Sequence, residues 1–347
     1  MKRYSRTNLK NALTEILKAN KVSDQQSETL INAMLDADVR GVHTHGTSVF
    51  PAYINKIKNG GFNLTEESEI LKQTMAFAIV DAKNQFGMVS AVKCMSLAIE
   101  QASTSGIYTV FCRNANTFGA AFKYAKMATD RGMIGVCLSN SPSAMPAWGG
   151  SNKILGTNPF SIGIPARKEG PILIDMATSI VAKSKINEAR KQGKTIPAGW
   201  AVDENGIPTT DPNEAIKGMI LPMAEHKGYA IAMAIDVIAG LLSGAGYLNR
   251  VNRFYSETNE CMNVGHCFIA IDPIAIFGEG FHESIDEYIA EVRASGKNVY
   301  YPGEKENKKA QLCNGETVEL TDETANALLE LFKEYRIEGA LIENEKQ

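Results

Sequence analysis

Two of the five histidines in this chain stand two residues apart, in the stretch Asp38-Val-Arg-Gly-Val-His43-Thr44-His45-Gly-Thr-Ser-Val49-Phe-Pro-Ala-Tyr53. Imidazole is the side chain whose unperturbed pKa lies nearest neutrality, so either ring is a candidate to give or take a proton, with the Thr44 hydroxyl between them. The flanking segments read as helices that hold this turn at both ends. Leu30, Ala33, Met34 and Ala37 recur at helical spacing before the Arg40-Gly41 stop. Pro51 suits the first turn of a second helix, whose Phe50, Tyr53, Ile54 and Ile57 share a face until Gly60-Gly61. A short loop braced by packed helices is a usual seat for chemistry. From these residues alone the alternative stays open that an imidazole merely caps a helix or bonds a carbonyl. A metal is not expected, because no Glu-x-x-His or Cys-x-x-Cys accompanies the pair, and Cys261 with His266-Cys267 and distant His282 lacks ligand spacing.

The elements that must position this turn belong to an ordinary globular chain. With 347 residues, 44% of them hydrophobic and 22% charged, there is enough apolar material for two domains or one large one. A net charge of −3 argues against nucleic acid or a membrane surface as partner, although local patches stay open. The six cysteines show no framework spacing, and the basic N-terminus leads into an amphipathic helix rather than a signal sequence, so a reducing, cytoplasmic setting is expected.

Along the chain, Leu9, Leu13, Ile16 and Leu17 mark a first helix and Ser23-Asp-Gln-Gln26 starts a second, which makes the first sixty residues helical. From Phe77-Ala-Ile-Val-Asp81 the rhythm changes. Strand-like runs at 77–81, 108–112 and 134–138 alternate with helical stretches at about 87–104 and 120–130, giving a mixed α/β class. A further strand is expected at Ile172–Ile174, followed by a surface turn region at Ala201–Pro212. The apolar run His226–Leu242 contains Asp236 and is too short and too polar for a membrane span, so it is expected to be a buried core helix. Cys267–Ile271 looks like the last core strand, residues 283–294 and 321–335 are helical, and Glu343–Gln347 is a polar end expected to fray. The boundaries expected are 1–75 (helical), 76–270 (α/β, binding cofactor and substrate) and 271–347 (helical, packing with the first part).

No Gly-x-Gly-x-x-Gly opens a helix after a strand, no Gly-x-x-x-x-Gly-Lys-Ser/Thr occurs, and no Gly-x-Ser-x-Gly marks a nucleophile elbow. What remains is a set of Gly- and Asn-rich loops at strand ends, where open α/β sheets bind ligands. Taken in order, Arg40-Gly-x-x-Thr-His45-Gly, Asn114-x-Asn-x-Phe-Gly-Ala-Ala, Asn140-Ser-Pro-x-Ala-Met-x-x-Trp-Gly-Gly150, Gly156-Thr-Asn-Pro, Asp175-Met-Ala-Thr-Ser179, Thr210-Asp-Pro, His226-Lys-Gly-Tyr-Ala230 and Tyr301-Pro-Gly-Glu304 resemble the blocks of the type 2 malate/L-lactate dehydrogenase family over nearly the whole chain.

The resemblance implies a homodimer whose nicotinamide cofactor binds a fold unlike the Rossmann domain, built on a largely antiparallel sheet with a helical domain from the two chain ends. It implies a small-molecule substrate and places the cofactor near Asn140, near Asp175, Met176 and Ala177, and near Lys227 and Gly228, with Gly303 and Glu304 as weaker candidates. The physics is compatible: Lys227 offers a cation, Gly228 opens a helix whose amides favour anions, and Asp175 can accept from a ribose hydroxyl. From the residues alone, an exposed helix-start lysine, a turn-forming aspartate and glycines serving backbone geometry account for the same positions. NAD is expected through the likeness to ureidoglycolate dehydrogenases, with NADP as the alternative.

Two positions depart from the family pattern. Relatives commonly carry a proton-transferring histidine where this chain has Thr117, and an arginine that holds the substrate carboxylate where it has Val49. Loss of a general acid costs about a hundredfold to ten-thousandfold in rate, and loss of a charge-assisted pair about 2 to 5 kcal/mol. His45 is then the remaining proton donor, with Thr44 to orient it or the substrate and Thr117 as a hydrogen-bond donor. The expectation is an NAD(P)-dependent oxidoreductase for a small 2-hydroxy or 2-oxo acid or a related carbonyl or imine compound, the alternative being a relative that binds the dinucleotide without turnover.

Overall fold

The computed structural model describes residues 1–342; the polar end at 343–347 lies outside the described residues. The chain begins with a strand rather than a helix: β1 (Lys2–Ser5) pairs antiparallel with β9 (Thr317–Leu320), so the two ends of the chain meet. Sequence missed β1 because four residues are too few to show a period of two.

Around this pair lies a helical unit of α1 (Arg6–Ala19), α2 (Asp24–Val39), α3 (Phe50–Lys58) and α10 (Asp322–Glu334). Ser5 and Ser23 cap α1 and α2 by accepting from the Asn8 and Gln26 amides. Leu9, Leu13, Ile16 and Leu17 are fully buried against Leu30, Ile31, Met34, Leu328 and Phe332. Each such burial contributes about 1.5 to 3 kcal/mol.

The second unit is a seven-stranded sheet of β2 (Glu69–Gln73), β3 (Phe77–Asp81), β4 (Ile107–Ala115), β5 (Ile134–Ser139), β6 (Phe160–Ile164), β7 (Ile172–Met176) and β8 (Val264–Ile271), in spatial order β2-β3-β4-β8-β5-β6-β7. β3 and β4 are parallel, and every other neighbouring pair is antiparallel. The sheet is thus largely antiparallel, the mixed α/β arrangement expected. β3, β4, β5 and β7 therefore all finish at one edge, where β6 and β8 begin. That edge gathers Asp81, Ala115, Ser139 and Met176 with the loops that follow them.

Alternation along the strands separates two faces. Val110, Cys112, Cys137, Phe268 and Ala270 pack under α4 (Gly87–Ser105) and α5 (Phe122–Thr129). Phe111, Leu138, Cys267 and Ile269 face Ile235 and Ala239 instead. Those two belong to α7 (His226–Ile235) and the π-helical turn Asp236–Leu241 that continues it.

Here the structure corrects the sequence reading of 226–242 as a buried core helix. Gly228, Ala232, Ile235, Asp236, Ala239 and Gly240 are buried, but Ile231, Met233, Val237, Ile238, Leu241 and Leu242 face outward. The run is apolar all round, but only one side meets the sheet and the other is bare in the single chain; an unbroken apolar pattern does not show which side is covered. Two short strands, Ala201–Val202 and Pro208–Thr209, pair within the expected turn region. Of residues 271–342, β9 and α10 join the first helices, whereas α8 (Phe281–Ala294) packs on Ile172 and Ile174 of β7.

Candidate active site

The histidine turn is built around a buried carboxylate that the sequence reading did not single out. Asp38, at the end of α2, is fully buried. Its Oδ2 accepts from the Thr47 amide at 2.7 Å and the Thr47 hydroxyl at 2.7 Å, and its Oδ1 lies 3.0 Å from His43 Nδ1. Residues His43–His45 form one 3₁₀ turn over this carboxylate. Gly46 is there because a Cβ on it would fall 2.0 Å from Asp38 Oδ1.

The two imidazoles have different surroundings. His43 points inward to Asp38, and its Nε2 is buried without a partner among the described residues. His45 is exposed on the turn, and desolvation by the surrounding protein pushes its pKa below the usual 6.5. Thr44 is exposed beside it. Val49 is half-buried against the core of the helical unit.

The turn rests on the start of α5. Val42 packs with Ala37, Ala120 and Phe122, and the Arg40 guanidinium lies 5.1 Å above the Phe122 ring. The Phe122 amide donates to Asp175 Oδ2 at 3.0 Å. Burial raises the Asp175 pKa to about 6, against the opposing pull of that amide. Water still reaches the carboxylate, which lies at the end of β7.

Thr117 belongs to the loop between β4 and α5. Tyr53 of α3 donates to its carbonyl at 3.4 Å, and Gly87 admits the Asn116 and Thr117 carbonyls, which a Cβ there would meet at 2.1 and 2.3 Å. The histidine turn, the Thr117 loop and Asp175 therefore converge at the start of α5.

Behind the loop stands His266, a residue that sequence spacing had only excluded as a metal ligand. It is fully buried in β8, stacks on Phe118 with ring centres 4.5 Å apart, and joins Ser139 Oγ at 2.9 Å and the Asn116 carbonyl at 3.1 Å. Burial lowers its pKa to about 4, although the Asn116 carbonyl opposes this. A neutral ring at that position ties the ends of β4 and β5 together.

The residues expected to hold a cofactor fall into four places. Met176 is exposed and Ala177 half-buried at the sheet edge next to Asp175, where the Thr178 amide bonds to Thr157. Asn140 is buried after β5, its side chain spent inside the protein: Nδ2 donates to Asp236 at 3.2 Å and Gly246 at 2.7 Å, and Oδ1 accepts from Gly265 at 2.9 Å. Lys227 is exposed at the start of α7, and Gly228 is buried where a Cβ would lie 2.2 Å from the Met223 carbonyl. Ala224 and Glu225 just before it both have positive φ, 45° and 59°, a strained entry that fixes where α7 points.

Gly303 and Glu304 lie apart from these, at the start of α9 (Glu304–Leu312) against β7. The Glu304 carboxylate is buried and bonded to Arg293 at 3.0 Å, Lys308 at 2.6 Å and the Tyr301 amide at 3.2 Å. Burial alone would raise its pKa; those donors outweigh that and hold it below the usual range. Among the described residues, no group of three or more His, Cys, Asp or Glu is arranged to hold a metal ion. No helix there is long and apolar enough to cross a membrane.

A non-Rossmann sheet with a helical unit from both chain ends, and an imidazole turn set against the start of α5, are the marks of one class of dehydrogenase. The chain belongs to the malate/L-lactate dehydrogenase family, matching it over residues 4–329, and is an NAD(P)-dependent dehydrogenase acting on CH–OH donors. Among its relatives, it is 37% identical to the malate/(S)-sulfolactate dehydrogenase of Methanothermus fervidus over 330 residues, 95% of this chain and 97% of that one. It is 32% identical to the ureidoglycolate dehydrogenase (NAD(+)) of Escherichia coli K12 over 311 residues, 88% of each chain. The solved sulfolactate dehydrogenase of Methanocaldococcus jannaschii superposes with a TM-score of 0.89 at 34% identity, covering 96% of this chain and 98% of that one.

Proposed function

We propose that this protein interconverts a small 2-hydroxy acid and its 2-oxo counterpart, or a related carbonyl or imine compound, using NAD, with NADP as the alternative. The observation that carries this reading is the Asp38-organised turn, which packs through Val42 on the start of α5 and leaves His45 exposed. Bound at the sheet edge, the nicotinamide ring would accept or supply the hydride.

The protein's own residues do the rest. His45, neutral near pH 7 because burial lowers its pKa, takes the hydroxyl proton as the alcohol is oxidised and returns it in the reverse direction. Thr44 and Thr117 donate hydrogen bonds that orient the reacting oxygen. Residues Asp175–Ala177 and the Lys227–Gly228 start of α7 would receive the dinucleotide, an anion suited to a lysine and a helix N-terminus. Val49 brings no charge, so the substrate is held with less charge pairing than an arginine would give.

A second reading has its own support: Val49 packs into the helical core and Thr117 cannot titrate as an acid, which fits a relative that binds the dinucleotide without turnover. We also infer a homodimer, closed over the bare apolar face of α7, since contiguous exposed apolar surface of this kind marks association sites. Six free thiols fit the cytoplasmic setting.

The test is a fluorescence titration with NADH and NADPH, then a panel of 2-hydroxy acids, 2-oxo acids and imines. The oxidoreductase reading expects cofactor binding and turnover that His45→Ala abolishes. Binding without turnover, with partial gain on Thr117→His plus Val49→Arg, selects the second reading. Absence of any dinucleotide binding removes both.

A further inference from the structure

Three cations line one recess to which the histidine turn does not contribute. Lys153, Lys183 and Arg253 line it together with Ser143, Ala144, Gly218 and Ile220, around a cavity of about 20 Å³ that is open to solvent on one side. Lys153 follows the Asn140–Gly150 loop, Lys183 opens α6 (Lys183–Lys191), and Arg253 comes from the segment before β8. α6 begins at Ala182 without a side-chain cap, so its first amides and its dipole add to the positive field.

Among the described residues, none of the three cations makes an ion pair with a carboxylate; Lys153 Nζ donates only to the Lys217 carbonyl, at 2.5 Å. Three like charges in one recess repel one another unless an anion is placed among them. Burial and then the mutual repulsion lower the Lys153 and Lys183 pKa values, Glu204 opposing at Lys153.

The recess lies further along the segments proposed to receive the dinucleotide. Ala144 is four residues past Asn140, Lys183 six past Ala177, and the two segments are stitched to the same stretch by Ile220–Ala144 and Met223–Thr178 main-chain bonds of 3.1 and 2.9 Å.

We propose that Lys153, Lys183 and Arg253 form a seat for a phosphoryl group. A phosphate dianion matches this charge and presents the oxygens that two ammonium groups and a guanidinium fork can share. Its source is either a phosphate of the dinucleotide, which rests on the function proposed above, or a free phosphate ester or inorganic phosphate.

Calorimetry on the full-length protein in phosphate-free buffer separates these. Inorganic phosphate is expected to bind saturably, with affinity falling as salt rises, and Lys183→Gln with Arg253→Gln is expected to weaken it at least tenfold. Both side chains are exposed, so the double variant should fold, and its melting temperature without phosphate should equal or exceed that of the unaltered protein because repulsion has been relieved. Phosphate that competes with NADPH but not NADH identifies the 2′-phosphate; competition with both identifies the pyrophosphate; competition with neither identifies a separate phosphoryl ligand. The proposal is overturned if phosphate does not bind saturably and the double variant leaves NADPH and NADH affinities unchanged. If neither dinucleotide binds while phosphate does, the dehydrogenase reading falls and this seat stands.

Discussion

Asp38 occupies the space that a side chain on Gly46 would need: a Cβ at residue 46 would lie 2.0 Å from Asp38 Oδ1. The carboxylate that organises the histidine turn and the glycine that passes over it are thus a single requirement. Gly46→Ala must push the turn off Asp38 and break the bonds to Thr47 and His43. We expect it to destabilise the protein by about 1 to 3 kcal/mol, the usual cost of overpacking, and to remove most turnover. Thermal melting and steady-state kinetics check both, and an alanine variant with full activity would contradict this account of the turn.

Desolvation lowers the pKa of His45, which we expect to act as the base when the alcohol is oxidised. The neutral ring is the active form in that direction, so kcat/KM for oxidation should be level above its pKa and fall as pH drops through it. His45→Ala should lower kcat about a hundredfold to ten-thousandfold while leaving NADH affinity within about threefold. A pH profile from the variant that keeps the same acid limb would assign that limb elsewhere.

Asp175 has the opposite kind of shift, with a folded pKa of about 6 against 3.8 for the free carboxyl. In that window the folded chain binds more protons than the unfolded one, so stability falls as pH rises from about 4 to 6. Asp175→Asn keeps an oxygen for the Phe122 amide and removes the buried charge. Its melting temperature should exceed that of the unaltered protein above pH 6, and the slope between pH 4 and 6 should flatten. Water access to Asp175 limits the size of this gain.

Glu304 is held by Arg293, Lys308 and the Tyr301 amide, which makes it a staple between α9 and the neighbouring segment rather than a free cofactor ligand. Glu304→Gln should cost about 1 to 3 kcal/mol, less than a fully buried pair because both cations stay partly in water. Since its folded pKa is depressed, that contribution is present above the unfolded value of 4.5 and disappears as pH falls through the folded one. NADH affinity measured by titration should not change; a large loss would return Glu304 to the cofactor site.

Val237 and Leu241 lie one turn apart on the bare face of α7 and the π-helical turn that continues it. If the protein is the homodimer proposed above, a double substitution Val237→Glu and Leu241→Glu should convert it to a folded monomer in sedimentation experiments. If the mass in solution is that of one chain before any substitution, the apolar face has another role.

The sequence by itself determined the family, the alternation of strands and helices from residue 77, the helices on either side of His43 and His45, and the absence of histidine and arginine at positions 117 and 49. These depend on local period and on residue identity, which a linear chain displays. Tertiary structure alone decided that Asp38 stands under the turn, that His266 ties the ends of β4 and β5, that the Asn140 and Glu304 side chains are spent inside the protein, that one side of the 226–242 run is bare, and that Lys153, Lys183 and Arg253 meet. Each of those facts joins residues far apart in the chain or divides one helix between two surroundings. Hydrogen bonds and charges act over a few ångströms of space, and no spacing in sequence records that distance.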